Sequence, residues 1–264
     1  RSKYEELIAF SNYAFYNGRL YVSPNVEEPE RPPIEVFRVD GLWENKSNIA
    51  EARKIVGLLK EFFANRRNNE TVGIITFNSS QRDLISDVLD EECASDPSFG
   101  KAVNDEMRRF DNGEDVGLFI KNIESVQGDE RDVIMFSVGY AKNSDGKLMQ
   151  RFGWLNNRGG ENRLNVAISR AKKKILIVTS FEPEDLQVDN MKNDGPRILK
   201  KYLQYARAIS DGNKDMADSI LKSFGDERWE TPDEIGSSRI SDRVYNALTR
   251  KGYTVEKNVG IGGY

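Results

Sequence analysis

Five short apolar runs rich in β-branched residues alternate with longer stretches of helical periodicity. The runs are Ile34–Val39, Val72–Phe77, Gly117–Ile123, Val133–Val138 and Lys174–Ser180. Between them, Asn48–Ala64 and Asn78–Glu92 place apolar residues on one helical face, as with Leu84, Ile85, Val88 and Leu89. Tyr4–Tyr16 reads as a further helix, stopped by Asn17-Gly18. This alternation predicts an α/β fold built on a mostly parallel sheet. Beyond Ser180, Gly195–Ser210 and Asp215–Phe224 read as two more helices joined by Asp211-Gly212-Asn213. The acid-rich stretch from Asp211 to Ile235 reads as a solvated linker. A fresh unit then begins with helix Ser238–Lys251 and strand Tyr253–Val255.

Composition narrows the chemistry. The 264 residues include no histidine and one cysteine, Cys93. Histidine general bases, Ser-His-Asp and Cys-His nucleophiles, His-bearing zinc sites and internal disulfides are therefore excluded. A single cysteine predicts an intracellular setting. No apolar run approaches the roughly 18 residues of a membrane span, and no signal peptide opens the chain. The first residue is Arg1, not Met, which predicts a piece of something longer. The net charge of -4 shows no global basic field, but Arg158–Lys174 carries a local +5.

That basic segment is GGENRLNVAISRAKKKILIVTS, residues 159–180. Leu164, Ala167, Ile168 and Ala171 form the buried stripe of a helix that Glu161 or Asn162 could cap. Arg163 and Arg170, seven apart, fall on one flank of that stripe. Guanidinium groups held beside a sheet suit phosphoryl transfer, where charge spreads over phosphate oxygens. The preceding segment, Lys121–Gly139, ends a strand near Ile123, passes through the polar turn Ser125-Val126-Gln127-Gly128-Asp129-Glu130, and starts another strand at Val133. Gly128 permits close backbone approach, and Glu130 can accept hydrogen bonds from a hydroxyl pair such as a ribose.

Two of these segments together resemble motifs V and VI of superfamily 1 helicases, particularly the Upf-type and related DNA helicases. The matching residues are Gln127-Gly128-Asp129-Glu130-Arg131-Asp132-Val133-Ile134 and Arg163-Leu164-Asn165-Val166-Ala167-Ile168-Ser169-Arg170-Ala171. Val72–Gln81 resembles motif IV, a strand running into a helix N-terminus at Asn78. Arg1 and the run Phe15–Leu20 resemble the segment after a family Tyr-Arg pair. The likeness covers residues 1–183 and implies the second RecA-like (P-loop NTPase-type) domain of a helicase. A helical linker at 184–235 and, at 236–264, a C-terminal arm or truncated endonuclease-like domain are expected to follow.

Carried over residue by residue, the resemblance implies that Arg170 reaches the γ-phosphate of ATP and that Arg1 is a second phosphate contact. It implies that Gly128, Glu130 and Arg163 bind the nucleotide. It places Thr76, Asn78, Ser125 and Gln127 on the single-stranded nucleic-acid track. ATP and Mg²⁺ would be bound jointly with a first RecA-like domain that supplies the phosphate loop. No phosphate loop occurs in this chain: Gly100-Lys101 and Gly146-Lys147 are followed by Ala102 and Leu148, not Ser or Thr. Asp90-Glu91-Glu92-Cys93 mimics the acidic motif II but ends an amphipathic helix, where a strand end is required. The expected product is therefore half an ATPase site, inactive alone, with no metal site of its own.

Ser237–Tyr264 resembles the opening of very-short-patch-repair-like, restriction-endonuclease-like domains, which favours DNA over RNA as the partner. Ser241 stands where that family has a metal-binding Glu. Two other readings compete with the motor domain. One is a RecA-like scaffold that binds nucleic acid without hydrolysing ATP; the other is a nuclease that the helicase region positions. Trp43, Trp154 and Trp229 lie in or beside loops, as packing caps or base platforms.

Overall fold

A computed structural model of the chain describes residues 2–20, 29–66, 68–150, 152–226 and 248–250. Its strands are β1 (Ile34–Arg38), β2 (Val72–Thr76), β3 (Phe110–Asp111), β4 (Glu114–Asp115), β5 (Phe119–Asn122), β6 (Arg131–Ser137) and β7 (Ala171–Thr179). Its helices are α1 (Glu6–Tyr16), α2 (Ile49–Asn65), α3 (Ser79–Ser95), α4 (Pro97–Met107), α5 (Gly160–Ile168), α6 (Gly195–Ser210) and α7 (Lys214–Asp226). Five strands form one sheet in the order β1-β7-β6-β2-β5, and every neighbouring pair is parallel. The register aligns Ile134 with Gly73 on one side and Ile175 on the other. β2 is buried along its whole length, the expected state of a parallel strand covered on both faces.

The two-residue period of the strands sorts their side chains onto two apolar clusters. Ile75, Ile134, Phe136, Ile175 and Ile177 join Phe10 of α1, Leu164 and Ile168 of α5, and Leu199 and Tyr205 of α6. Ile74, Met135, Leu176 and Val178 join Ile55 and Leu59 of α2, Ile85 of α3 and Phe99 of α4. The result is the predicted α/β RecA-like arrangement, a five-stranded parallel sheet flanked by helices. Helices α6 and α7 pack into the first cluster, where the Phe10 ring sits 5.2 Å from Tyr202 and 5.3 Å from Phe224. The predicted strand Tyr253–Val255, most of the predicted helix from Ser238, and Trp229 lie outside the described residues.

Local signals account for the helix starts. The Asn48 side chain accepts from Glu51 N at the head of α2, and the Asn78 side chain accepts from Gln81 N at the head of α3. Asp96 caps α4, with Pro97 in its first turn. Neither α4 nor the β3–β4 hairpin was anticipated by the periodicity, although Asp96-Pro97 and Asn112-Gly113 are their start and turn signals. Helix α5 departs from expectation at both ends. Gly159, in the left-handed region, occupies its N-cap in place of Glu161 or Asn162, and the helix stops at Ile168. β5 and β6 lie on opposite sides of β2, so the helix-free segment 123–130 must cross it, with Ile123 and Val126 buried beneath.

The polar stretch 141–158 is anchored more firmly than its composition suggests. Phe152 and Leu155 are fully buried, and the Asn156 side chain accepts from Phe152 N at 2.8 Å. A Cβ at Gly195, the start of α6, would overlap the Leu155 carbonyl oxygen. Gly195→Ala is therefore expected to destabilise the fold by about 1–3 kcal/mol, read as a lowered midpoint in urea denaturation.

Candidate functional site

At the amino end of the sheet, residues from the two long motifs meet. Arg131 is in register with Ala171, and its backbone N–H donates to the Arg170 carbonyl at 3.1 Å. The Glu130 carboxylate lies 3.8 Å from the Lys172 ammonium. Gly128, with φ at 91°, sits exposed in the crossing segment, and a Cβ there would meet nothing within 4 Å. Its backbone conformation, not lack of room, is what favours glycine.

Arg170 is not on the helix, contrary to the sequence reading; it lies in the turn between α5 and β7. Its side chain folds back so that Nε donates to the Val166 carbonyl at 2.8 Å and Nη2 to Ser169 Oγ at 3.3 Å. Arg163 lies within α5, its guanidinium 4.8 Å over the ring of Trp154, which is 48% exposed. Seven residues separate the two arginines in the chain, and only Arg163 is in α5. Arg1 lies outside the described residues. Its neighbour Ser2 donates from Oγ to the Ala171 carbonyl at 3.2 Å.

One arginine here escaped the sequence reading. Arg131 is buried, donating from Nε to the Gly117 carbonyl and from Nη1 to the Glu130 carbonyl, both at 2.9 Å, with its guanidinium 5.0 Å over the Phe119 ring. It links the starts of β5, β6 and β7. Its only sequence signal was a cation opening an apolar strand.

The residues assigned to nucleic acid occupy other positions. Thr76, fully buried at the carboxyl end of β2, donates to the Asn78 carbonyl at 2.8 Å. Asn78 Oδ1 accepts from Gln81 N at 2.8 Å. Ser125 donates to Asn122 Oδ1 at 2.9 Å, and Gln127 is exposed. Thr76 pairs in register with Ser137, the last residue of β6, whereas Arg131 is the first. Six residues of strand, about 20 Å, thus separate Thr76 from the arginine end. The structure brings Gly128, Glu130 and Arg170 to one end of the sheet and Thr76 and Asn78 to the other, with segment 123–130 running between. Asn78→Ala is expected to cost about 1 kcal/mol of stability through the lost cap, a difference that thermal denaturation would register.

Beneath Asn78 lies a second unanticipated feature. Glu51 is fully buried at the first turn of α2, accepting at Oε2 from Ser137 Oγ (2.8 Å) and Gly139 N (2.7 Å). Burial pushes its carboxyl up to about 7, against the opposing pull of those hydrogen bonds and of Ser180. Asp90 and Glu91, part of the acidic run that mimics motif II, are exposed on α3, and Glu92 pairs with Lys60 at 2.6 Å. The run is a helix surface.

Residues 3–182 match the AAA domain family AAA_12. Over its full length the chain is 32% identical to proteins named uncharacterized ATP-dependent helicases in Mycoplasma pneumoniae (the MG140 homolog) and Mycoplasma genitalium (MG140), and covers 23% of each. It thus spans about a quarter of the length of these curated relatives. A putative ATP-dependent RNA helicase of Saccharomyces cerevisiae, ECM32, is 28% identical over 62% of this chain and 14% of its own length. Among solved structures, the C-terminal domain of a possible DNA helicase from Lactobacillus plantarum WCFS1 aligns with 73% of this chain and 96% of its own, at 16% identity and a TM-score of 0.40.

Proposed function

The chain belongs to the AAA domain family AAA_12, and on that premise we propose that it is the C-terminal motor domain of an ATP-dependent superfamily 1 helicase. In this reading, residues 1–183 form the second RecA-like domain. It completes an ATP site whose phosphate loop and Mg²⁺-holding acid come from a first RecA-like domain, so the chain alone hydrolyses nothing. The remaining proposed units are the linker at 184–235 and the arm or truncated nuclease-like domain at 236–264. The single observation that carries the proposal is the Arg131–Arg170 backbone hydrogen bond, which joins the segment bearing Gly128 and Glu130 to Arg170 at one sheet end.

The donor set fits a nucleotide. Arg170 and Arg163 offer fork-shaped donors matched to phosphate oxygens. Gly128 leaves open space over an exposed backbone turn, and Glu130 presents an acceptor for ribose hydroxyls. ATP with Mg²⁺ supplies the phosphoryl group and the charge neutralisation between the two domains. Arg170 must release its own helix to act: its bonds to the Val166 carbonyl and Ser169 hydroxyl hold the guanidinium at the site's edge until a stronger anion competes. Arg1 is proposed as a second phosphate contact.

Thr76, Asn78, Ser125 and Gln127 are proposed to track single-stranded nucleic acid, with amides at the head of α3 suited to phosphate oxygens. DNA is taken as the substrate on the likeness of the tail to nuclease domains, and the setting as intracellular on the cysteine count. No helix among the described residues is long and apolar enough to cross a membrane. The test is ATP hydrolysis by the complete helicase with and without an oligodeoxynucleotide or an oligoribonucleotide. Stimulation by either, strongest with DNA, is expected; hydrolysis by this chain alone would contradict it.

A second reading has one observation in its favour, the tie between the Arg170 side chain and its own helix. A RecA-like scaffold that positions a fused nuclease would keep Arg170 there permanently. In that case Arg170→Ala would leave ATP hydrolysis intact.

A further inference from the structure

At the opposite end of the sheet from Arg170, the proposed motor leaves the buried carboxyl of Glu51 unused. We propose that Glu51 is a positioning residue for the nucleic-acid contact at Asn78, and that its protonation makes this contact pH-dependent, tightest when the carboxyl is neutral. This rests on the nucleic-acid reading of Asn78 given above.

A continuous set of hydrogen bonds joins the two residues. Ser137 Oγ donates to Glu51 Oε2 at 2.8 Å, and Gln81 Nε2 donates to Ser137 Oγ at 3.0 Å. Gln81 also exchanges bonds with the backbone of Asn48, accepting at 2.7 Å and donating at 3.0 Å. The Gln81 backbone N–H in turn donates to Asn78 Oδ1. Asn48 closes the set by donating to Ser180 Oγ at 2.7 Å and, at 3.3 Å, to Glu51 Oε1. Every member is buried or half-buried, so a change in the carboxyl is transmitted by contact and is poorly screened.

The groups facing Glu51 are neutral. They are Asn48 from the cap of its own helix, Gln81 from α3, Ser137 and Gly139 from the end of β6, and Ser180 from the end of β7. The Tyr140 phenol, pushed up to about 12 by burial, also stays neutral. The charged groups on the surrounding elements are engaged or exposed. Lys54 lies over the Phe37 ring, Arg82 pairs with Asp83, and Arg38 pairs with Glu182. Arg53, Asp40 and Glu44 are exposed.

Ionisation of Glu51 therefore places an uncompensated negative charge under a face that is to receive phosphates. A glutamine would keep the bonds from Ser137 and Gly139 through its carbonyl with no charge, and would give up the longer bond that Oε1 accepts from Asn48. What assigns Glu51 a role is its place in this set: through Ser137 it reaches Gln81, whose backbone N–H bonds the Asn78 side chain. The chain has no histidine, so no other side chain of this domain has an ordinary titration near neutrality.

The experiment is fluorescence anisotropy of a labelled oligothymidylate and an oligouridylate on the complete helicase, from about pH 5.5 to about pH 8.5. Wild type should bind about fivefold more weakly at the alkaline end, with a midpoint near neutrality. Glu51→Gln should bind at all pH values as wild type does at the acid end. Ser137→Ala, which removes a donor to the ionised carboxylate, should move the midpoint to higher pH. A pH slope kept in Glu51→Gln, or a midpoint unmoved in Ser137→Ala, overturns the proposal. Asn78→Ala separates the two levels. If it weakens binding while Glu51→Gln keeps the slope, only the role of Glu51 fails. If Asn78→Ala binds as wild type, the nucleic-acid reading fails and this proposal with it. Melting curves of each variant establish that it is folded: Glu51→Gln should raise the melting temperature at alkaline pH, where wild type must bury an ionised group, and not at acid pH.

Discussion

Replacing Arg170 with alanine in the complete helicase is expected to lower kcat for nucleic-acid-stimulated ATP hydrolysis by roughly 10³-fold, the scale of an arginine that stabilises transition-state charge. The KM for ATP should move little, because the guanidinium rests on the Val166 carbonyl and Ser169 hydroxyl and engages phosphate as charge develops. Arg170→Lys should recover little of the loss. A lysine is a point charge on a flexible stem, whereas this site holds a fork oriented by two protein acceptors. Nucleic-acid binding without nucleotide should be unchanged, since Asn78 and Thr76 lie at the far end of the sheet. Steady-state kinetics with and without oligonucleotide would measure both parameters.

The second large effect concerns stability. Arg131→Ala is expected to destabilise the fold by about 2–5 kcal/mol, the cost of two carbonyls left without a donor and of a space opened in a buried site. The loss leaves the Gly117 and Glu130 carbonyls without their donor and opens space beside the Phe119 ring. Arg131→Lys should fall between, because it keeps a charge yet cannot reach both carbonyls in one plane. Urea denaturation followed by circular dichroism would read the difference. Wild-type stability in Arg131→Ala would mean that the three strand starts are held together by other contacts.

Much of the architecture was legible because parallel strands buried on both faces must be continuously apolar. Val72–Thr76 and Lys174–Thr179 had no other reading. The starts of α2 and α3 were legible from the onset of apolar spacing at Asn48 and Asn78, and the structure shows each asparagine side chain capping its helix there. What escaped depends on contacts between distant residues. The α5 stripe runs on through Ala171, so periodicity carried the helix past Arg170. The chain instead leaves the helix after Ile168, because the Arg170 carbonyl is taken into the sheet by Arg131 N–H. Nothing local marks Arg131 as buried or shows the Gly117 carbonyl that its side chain reaches. Glu51 stands in the first turn of α2, where an acid is ordinarily exposed. Only the packing of α2 against the ends of β6 and β7 buries it.

The candidate site is expected from a resemblance, and the structure adds the placement of its residues. Glu130 and Arg170 lie at one end of the sheet, Thr76 and Asn78 at the other, and the crossing segment 123–130 carries Ser125, Gln127 and Gly128 between them. A nucleotide at one end and a strand of nucleic acid at the other would both press on that segment, which gives the proposed motor a physical link between hydrolysis and movement.

The central claim is that Arg170 stabilises charge on a phosphoryl group in transfer, and binding of ADP with aluminium fluoride, a planar mimic of that group, tests it most directly. Wild-type helicase should bind ADP with aluminium fluoride at least about a hundredfold more tightly than ADP alone, and Arg170→Ala should bind the two alike. An alanine variant that still discriminates between them as wild type does would contradict the account.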